Sequence, residues 1–126
     1  GLHPPLAFHN GDVCLVTSSR PDWRPFVGRP LTLGIRAEDV GLAKGPGEDR
    51  LGMEVRLVEH LASGVALAPR ETLVTLAAAA WTVTARLAVT PALREGQTVH
   101  VAFDLTRAHL FDPATGRALC HGRSER

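Results

Sequence analysis

The sequence is poor in aromatic rings and has no excess of either charge. Of 126 residues none is Tyr, two are Trp and four are Phe, while 14 basic residues nearly balance 13 acidic ones. Single-stranded nucleic acid is usually held by stacking rings in a basic groove, and duplexes by a surplus of Lys and Arg. We therefore expect no nucleic-acid partner.

Cysteine and long apolar runs are also scarce. Cys14 and Cys120 are the two cysteines and form no C-x-x-C pair, which excludes a zinc ribbon and a thioredoxin-like motif. We interpret them as buried or half-buried thiols, since a disulfide would need the two ends of the chain to meet. The apolar run 73–81 is far shorter than a membrane-spanning helix and is interrupted by Thr75.

Motifs that carry catalysis are missing as well. The Gly-rich stretch 43–47 lacks the Lys-Ser or Lys-Thr of a phosphate-binding loop, so we interpret it as a turn. The six histidines form no pair with chelating spacing, and no serine stands in a nucleophile elbow. We expect no catalytic residue, metal site or cofactor site in this chain.

What the sequence does have is many short alternating segments between turn formers. Gly occurs 12 times and Pro 9 times. Between them, apolar and polar residues alternate with period two, which predicts strands rather than helices. The predicted strands are 12–17, 31–35 (with 39–42 as an extension), 52–61, 71–76, 82–89, 99–103, 110–111 and 118–120. Chains of this kind close into a small barrel or sandwich, so we predict an all-β fold.

The connections between the strands contain three distinctive segments. Residues 77–80 are four alanines, which we interpret as a tight connection between strands despite their helix propensity. Residues 20–30 hold three prolines around Trp23 and Phe26, and we expect an irregular strap pinned to the core by these rings. Asp112, Pro113 and Gly116 predict a turn that closes a final hairpin. Residues 1–30 are accordingly predicted to be a strand and strap packed on a barrel formed by residues 31–126.

Three positions carry side chains that could contact a ligand or partner. Arg36 and Glu38 follow a predicted strand, where Arg36 could bind an anion, although a salt-bridged turn is the simpler interpretation. His109 precedes Leu110 and Phe111, where it could meet a partner, although a bond to a backbone carbonyl is the simpler interpretation.

Several segments, taken in order, resemble one known family. The chain is similar, over residues 31–120, to the C-terminal regulatory TOBE or OB-like domain of ATP-binding subunits of bacterial ABC importers, of the maltose and glycerol-3-phosphate type. The matching segments are Leu33-Gly34-Ile35-Arg36-Ala37-Glu38-Asp39-Val40, Val55-Arg56-Leu57-Val58-Glu59-His60-Leu61, Glu71-Thr72-Leu73-Val74, Glu95-Gly96-Gln97-Thr98-Val99, His109-Leu110-Phe111-Asp112 and Thr115-Gly116. The chain departs from the family pattern at Ala37, where Pro is usual, at residues 62–70, an apparent insertion, and at residues 77–80, where the family often has a Gly-containing hairpin.

The resemblance implies a non-catalytic regulatory and dimerisation domain with an OB-like, TOBE-type barrel. It implies that the chain is a fragment that lacks an upstream ATPase domain, where ATP and Mg²⁺ would bind. The expected partners are a second subunit in a homodimer, membrane permease subunits reached through the missing domain, and a regulatory protein. The expected location is the cytoplasmic face of the cell membrane. Glu59, in the second matching segment, joins Arg36, Glu38 and His109 as a candidate ligand or interface contact.

A small-ligand module is the alternative function. Related OB-like barrels hold an oxyanion with backbone N–H groups and hydroxyl or basic side chains. This chain offers Arg36 and four threonines for that purpose, at positions 72, 75, 82 and 84. The transported substrate stays open, because no residue in the chain points to it.

Overall fold

The fold is built from short antiparallel strands. The computed structural model describes residues 4–11, 13–61, 71–88 and 92–122, and the predicted insertion 62–70 lies outside the described residues. Within those ranges the strands are β1 (Leu6–Asn10), β2 (Val13–Thr17), β3 (Thr32–Gly34), β4 (Val40–Ala43), β5 (Arg50–Leu61), β6 (Glu71–Ala78), β7 (Trp81–Leu87), β8 (Thr98–Phe103), β9 (His109–Phe111) and β10 (Ala118–Cys120). Short 3-10 turns at Pro21–Phe26, Ala37–Asp39 and Leu105–Arg107 connect them.

The main sheet has five strands and curls toward closure. Its strands lie in the order β4-β8-β5-β6-β7, and β4 and β7, the two edges, contact each other. A half-barrel results, which confirms the predicted all-β, OB-like fold. Its inner face is fully buried at Val55, Val74, Leu76 and Val101. Among the described residues no helix is both long enough and apolar enough to cross a membrane.

A β-bulge in β5 changes which side chains face the core. The pairing with β6 shifts register between Val55 and Leu57, so that Val58, rather than Leu57, pairs opposite the buried Val74. Because side chains alternate along a strand, the extra residue moves Leu57 to the outer face, where it is 42% exposed. Strict alternation along the predicted strand 52–61 would place Leu57 on the same face as Met53 and Val55, and the bulge breaks that alternation.

The alanine run forms a tight hairpin turn, as predicted. Ala77 and Ala78 end β6, and Ala78 pairs with Trp81, which leaves a two-residue connection. Ala79 has φ of 52°, a conformation that glycine adopts more easily than alanine. The hairpin therefore forms without the glycine that the resemblance would have placed there.

The N-terminal region differs from the prediction in one strand. Residues 6–10 form β1, a strand the sequence pattern did not reveal, which pairs with β2 through the turn at Gly11. The strap at residues 20–30 is confirmed, with a 3-10 turn at Pro21–Phe26 and Trp23 only 2% exposed. Trp23 meets Phe8 of β1 edge to face at 5.5 Å between ring centroids, so the hairpin and the strap pack together.

The predicted extension 39–42 does not continue the preceding strand. It is a separate strand, β4, and pairs with β8 in the main sheet, whereas β3 pairs with β9 in a three-stranded sheet. The 3-10 turn Ala37–Asp39 redirects the chain between the two sheets. The final turn is confirmed: the Gly116 N–H donates to the Asp112 carbonyl at 2.7 Å, and Gly116 has φ of 74°.

Candidate functional site

Arg36 and Glu38 are exposed on the 3-10 turn that precedes β4. The described residues show no ion pair between them, so the salt-bridged interpretation is wrong. Asp39 forms the ion pair instead, at 3.0 Å from Arg107 Nε, and both side chains are largely buried. Asp39 thus faces the next 3-10 turn, whereas Arg36 and Glu38 face solvent. Glu38 lies on the edge of a groove of about 440 Å³ that Arg86 and Asp104 also line.

His109 is half-buried in β9 and fixes the end of the described chain. Its Nδ1 accepts a hydrogen bond from the Gly122 N–H at 3.0 Å, so the expected bond to a backbone carbonyl is reversed in direction. An Nδ1 that accepts is unprotonated, which places the ring proton on Nε2. The ring also packs edge to face on His121 at 5.6 Å. This is a closing contact for the C-terminal segment.

Glu59 and the four threonines do not form one site. Glu59 is exposed on the outer face of β5, between Leu57 and Leu61. Thr72 is completely buried on the opposite face, where its hydroxyl lies 3.5 Å from His60 Nδ1. Thr75 and Thr84 are cross-strand partners, and Thr82 lies two residues from Thr84 on the same exposed face of β7, so only Thr72 is on the buried face. These residues do not converge on an oxyanion.

Arg20 is the buried charge that the sequence did not reveal. It is 7% exposed, and its guanidinium donates to the carbonyls of Leu105 (3.0 Å), Ala108 (2.7 Å) and His121 (3.0 Å). Nε and Nη2 also donate to the two carboxylate oxygens of Asp22, at 2.9 and 2.8 Å. The hydrogen bonds from Arg20 lower the pKa of Asp22 below its ordinary value of 3.8. Arg20 thus joins the strap to two distant segments, which no local pattern could indicate.

The thiols are free, as predicted. Cys14 and Cys120 are both half-buried and form no disulfide. Burial is the main cause that raises the pKa of the Cys120 thiol, and the nearby Asp22 carboxylate adds to it. A raised pKa reduces the thiolate fraction, so Cys120 is poorly suited to nucleophilic or redox chemistry.

A cleft lies between the β1–β2 hairpin, the strap and the main sheet. It has a volume of about 1010 Å³. Both tryptophans and three of the four phenylalanines of the chain line it: Phe8, Trp23, Phe26, Trp81 and Phe103. Small-molecule sites are commonly about 300–1,000 Å³, apolar, and furnished with a few polar groups. The cleft has these properties, and we name it the aromatic cleft.

The polar side chains of the aromatic cleft are basic or neutral. Arg24 and Arg29 lie on its lining, together with His9, and the described part of the lining includes no Asp or Glu. Arg29 is already paired with Asp112 at 3.2 Å, whereas Arg24 donates to the Pro4 carbonyl at 2.7 Å and forms no ion pair with a described carboxylate.

Trp23 also carries a buried donor. The residue is 2% exposed, and its indole N–H finds no acceptor anywhere in the described ranges. A buried polar group normally has a partner, and leaving one without costs about 1–3 kcal/mol. Because the N–H is shielded from solvent, it does not open onto the cleft, and we assign it no ligand.

The distribution of aromatic residues along the sequence is one sign of the aromatic cleft. Of the six aromatic residues, three (Phe8, Trp23 and Phe26) fall within the first 26 residues. Their convergence depends on the unpredicted β1 and on the curl of the sheet.

The chain is similar in sequence to an import ATP-binding protein. It is 33% identical over 99 residues to the trehalose/maltose import ATP-binding protein MalK of Thermococcus litoralis, a match that covers 75% of this chain and 25% of that protein. The chain thus spans about a quarter of the length of this relative. No family model matches the chain. The similarity supports the context of an importer ATP-binding subunit that the sequence segments indicated.

Proposed function

We propose that the chain is the non-catalytic regulatory and dimerisation domain, of TOBE type, of the ATP-binding subunit of an ABC importer for sugars or glycerol-3-phosphate. The observation that carries this proposal is the 33% identity to an import ATP-binding protein, over a segment that is only a quarter of that protein. A quarter-length match that folds as a curled β-sheet fits an accessory domain better than an ATPase core, which needs a phosphate-binding loop at a helix N-terminus.

The proposal assigns the chemistry to other parts of the importer. ATP and Mg²⁺ bind to a preceding ATPase domain, and that domain contacts the membrane permease subunits. The present chain contributes a rigid surface for a second subunit or a regulatory protein, at the cytoplasmic face of the membrane. No group in the described residues is assigned to hydrolysis.

The outer face of β5 is the surface proposed for subunit contact. Leu57 and Leu61 are 42% and 37% exposed there, with Glu59 between them. Exposed leucines close together on a flat strand surface favour association, because contact removes their area from water at about 25 cal/mol per Å². Arg36, Glu38 and His109 lie away from this strand, and we retain the first two as candidate contacts for a regulatory protein.

The decisive experiment compares this chain with the longer protein encoded by its reading frame. We expect the frame upstream of Gly1 to encode a phosphate-binding loop and a Mg²⁺-binding carboxylate, and the longer protein to hydrolyse ATP. The 126-residue chain should show no turnover under the same conditions. An upstream region without nucleotide motifs, or ATP hydrolysis by this chain alone, would overturn the proposal.

The substrate class needs a separate measurement in cells. Disruption of the gene should abolish uptake of radiolabelled trehalose, maltose or glycerol-3-phosphate, and the complete gene should restore it. Restoration by a gene that lacks residues 1–126 would show that this domain is dispensable for transport and would contradict its dimerisation role.

A further inference from the structure

The aromatic cleft combines features that select a particular ligand chemistry. Its walls are aromatic and aliphatic, so they favour an apolar body. Its charged side chains are Arg24 and Arg29, its other polar side chains (His9, Asn10, Thr32 and Thr82) can each donate a hydrogen bond, and the described lining holds no carboxylate; Asp112, which pairs with Arg29, lies outside it. A basic lining without a carboxylate matches a group that accepts hydrogen bonds and carries negative charge.

Other small ligands fit these features less well. A sugar donates as many hydrogen bonds as it accepts, and the described lining offers it only neutral acceptors (the Asn10 amide, the Thr32 and Thr82 hydroxyls and His9) and no carboxylate. A bare oxyanion would leave the apolar walls in contact with water. An organic cation would meet Arg24, which has no carboxylate partner among the described residues, and would find no carboxylate in the described lining.

We propose that the aromatic cleft binds a small amphipathic organic anion, with an aromatic or acyl body between the rings and a carboxylate-like head at Arg24. Arg24 is the available cation, because it is half-buried, lines the cleft and donates to a backbone carbonyl rather than to a carboxylate. This inference goes beyond the proposed function and does not depend on it.

Tryptophan fluorescence provides a signal for ligand binding in the aromatic cleft. Trp23 and Trp81 are the chain's two tryptophans, both line the cleft, and there is no tyrosine. Intrinsic fluorescence in the folded chain therefore comes only from residues that line the aromatic cleft. The test is titration of the purified chain with decanoate, and with decanol, decyltrimethylammonium, inorganic phosphate and maltose as comparison probes.

We expect decanoate to shift the tryptophan emission in a saturable manner and to bind about tenfold more tightly than decanol, as for one well-placed charge contact. Phosphate, maltose and the ammonium probe should leave the emission unchanged. Equal affinity for decanoate and decanol would overturn the proposal, because the cleft would then not select charge. A response to phosphate alone would overturn it in favour of an oxyanion site.

Substitutions of Arg24 test whether its guanidinium contacts the carboxylate head of the ligand. Arg24→Gln should weaken decanoate binding by about fivefold to tenfold while leaving decanol binding unchanged, and Arg24→Lys should restore most of the affinity. The matched control is Arg117→Gln, an exposed arginine outside the cleft, which should bind decanoate normally. If Arg24→Gln and Arg117→Gln weaken binding equally, the effect is one of net charge and the assignment of Arg24 is wrong.

A second copy of the chain is the competing occupant. Sedimentation of the ligand-free chain, with and without decanoate, distinguishes the two. If the chain self-associates and decanoate leaves both the emission and the association unchanged, the cleft is covered by another copy and the proposal fails. The comparison of decanoate with decanol on the unmodified chain decides the proposal even if an Arg24 variant does not fold.

Discussion

Arg20 donates hydrogen bonds to backbone carbonyls of two distant segments, residues 105–108 and His121, and so ties the strap to both. We expect Arg20→Lys to lower the free energy of unfolding by about 3 kcal/mol, because an ammonium cannot reach all the carbonyls that the planar guanidinium satisfies. Urea denaturation followed by Trp23 fluorescence measures this, since the guanidinium lies 4.5 Å from that ring.

The matched control for this substitution is Asp22→Asn. Asp22 is 54% exposed, so loss of its ion pair with Arg20 should cost less than about 1 kcal/mol. If Asp22→Asn destabilises the fold as much as Arg20→Lys, the stabilisation comes from the ion pair rather than from the carbonyls.

Asp22 also gives stability a dependence on acid pH. Hydrogen bonds from Arg20 lower its pKa in the folded state below the ordinary value of 3.8, so the unfolded chain takes up the proton first. The stabilising contribution is complete above that ordinary value and is lost as the pH falls through the lower pKa of the folded state. Unfolding by urea at neutral pH and in acid should therefore show a larger loss for the native sequence than for Asp22→Asn; parallel losses would contradict the assignment.

At the scale of elements, the close packing of the C-terminal segment requires that Gly122 has no side chain. A Cβ on Gly122 would collide with the Arg107 carbonyl, and the Gly122 N–H is bonded to His109. We expect Gly122→Ala to destabilise the chain by about 2 kcal/mol, because the obstacle is backbone that cannot move aside. Thermal unfolding measures the loss, and Gly41→Ala serves as control since nothing lies within 4 Å of a Cβ there.

The strands were predictable from the sequence wherever alternation was long enough. Along β7, for example, Thr82, Thr84 and Arg86 are exposed and Ala85 is completely buried, as the period-two pattern predicted. The bulge in β5 was not predictable, because its position depends on how β6 and β8 pack on either side of one strand.

The candidate site was less predictable than the strands. β1 is only five residues long and follows two prolines, so its alternation is too short to stand out. Arg20 and the aromatic cleft depend on contacts between residues that are far apart in the chain. A pattern within one segment cannot encode such contacts, and the family resemblance concerned residues 31–120 rather than the strap.

At the scale of the whole molecule, the curl of the main sheet leaves two surfaces with different roles. The inner side contributes to the aromatic cleft, through Trp81 and Met53, and the outer side presents Leu57 and Leu61. Because β4 and β7 contact each other, the sheet offers little open edge for association, and the outer face is the remaining apolar surface of β5. Ligand binding and subunit contact should therefore be separable by mutation.

We expect Leu57→Lys to weaken self-association of the chain by about tenfold, since a charged side chain would have to lose its water at the contact. Sedimentation velocity over a range of protein concentrations measures the change. Leu42→Lys is the matched control, because Leu42 is 36% exposed but lies on β4 rather than on β5. Decanoate binding should be unaffected in both variants. A chain that stays monomeric at all concentrations, or an equal effect of the two substitutions, would rule out the outer face of β5 as the dimer contact.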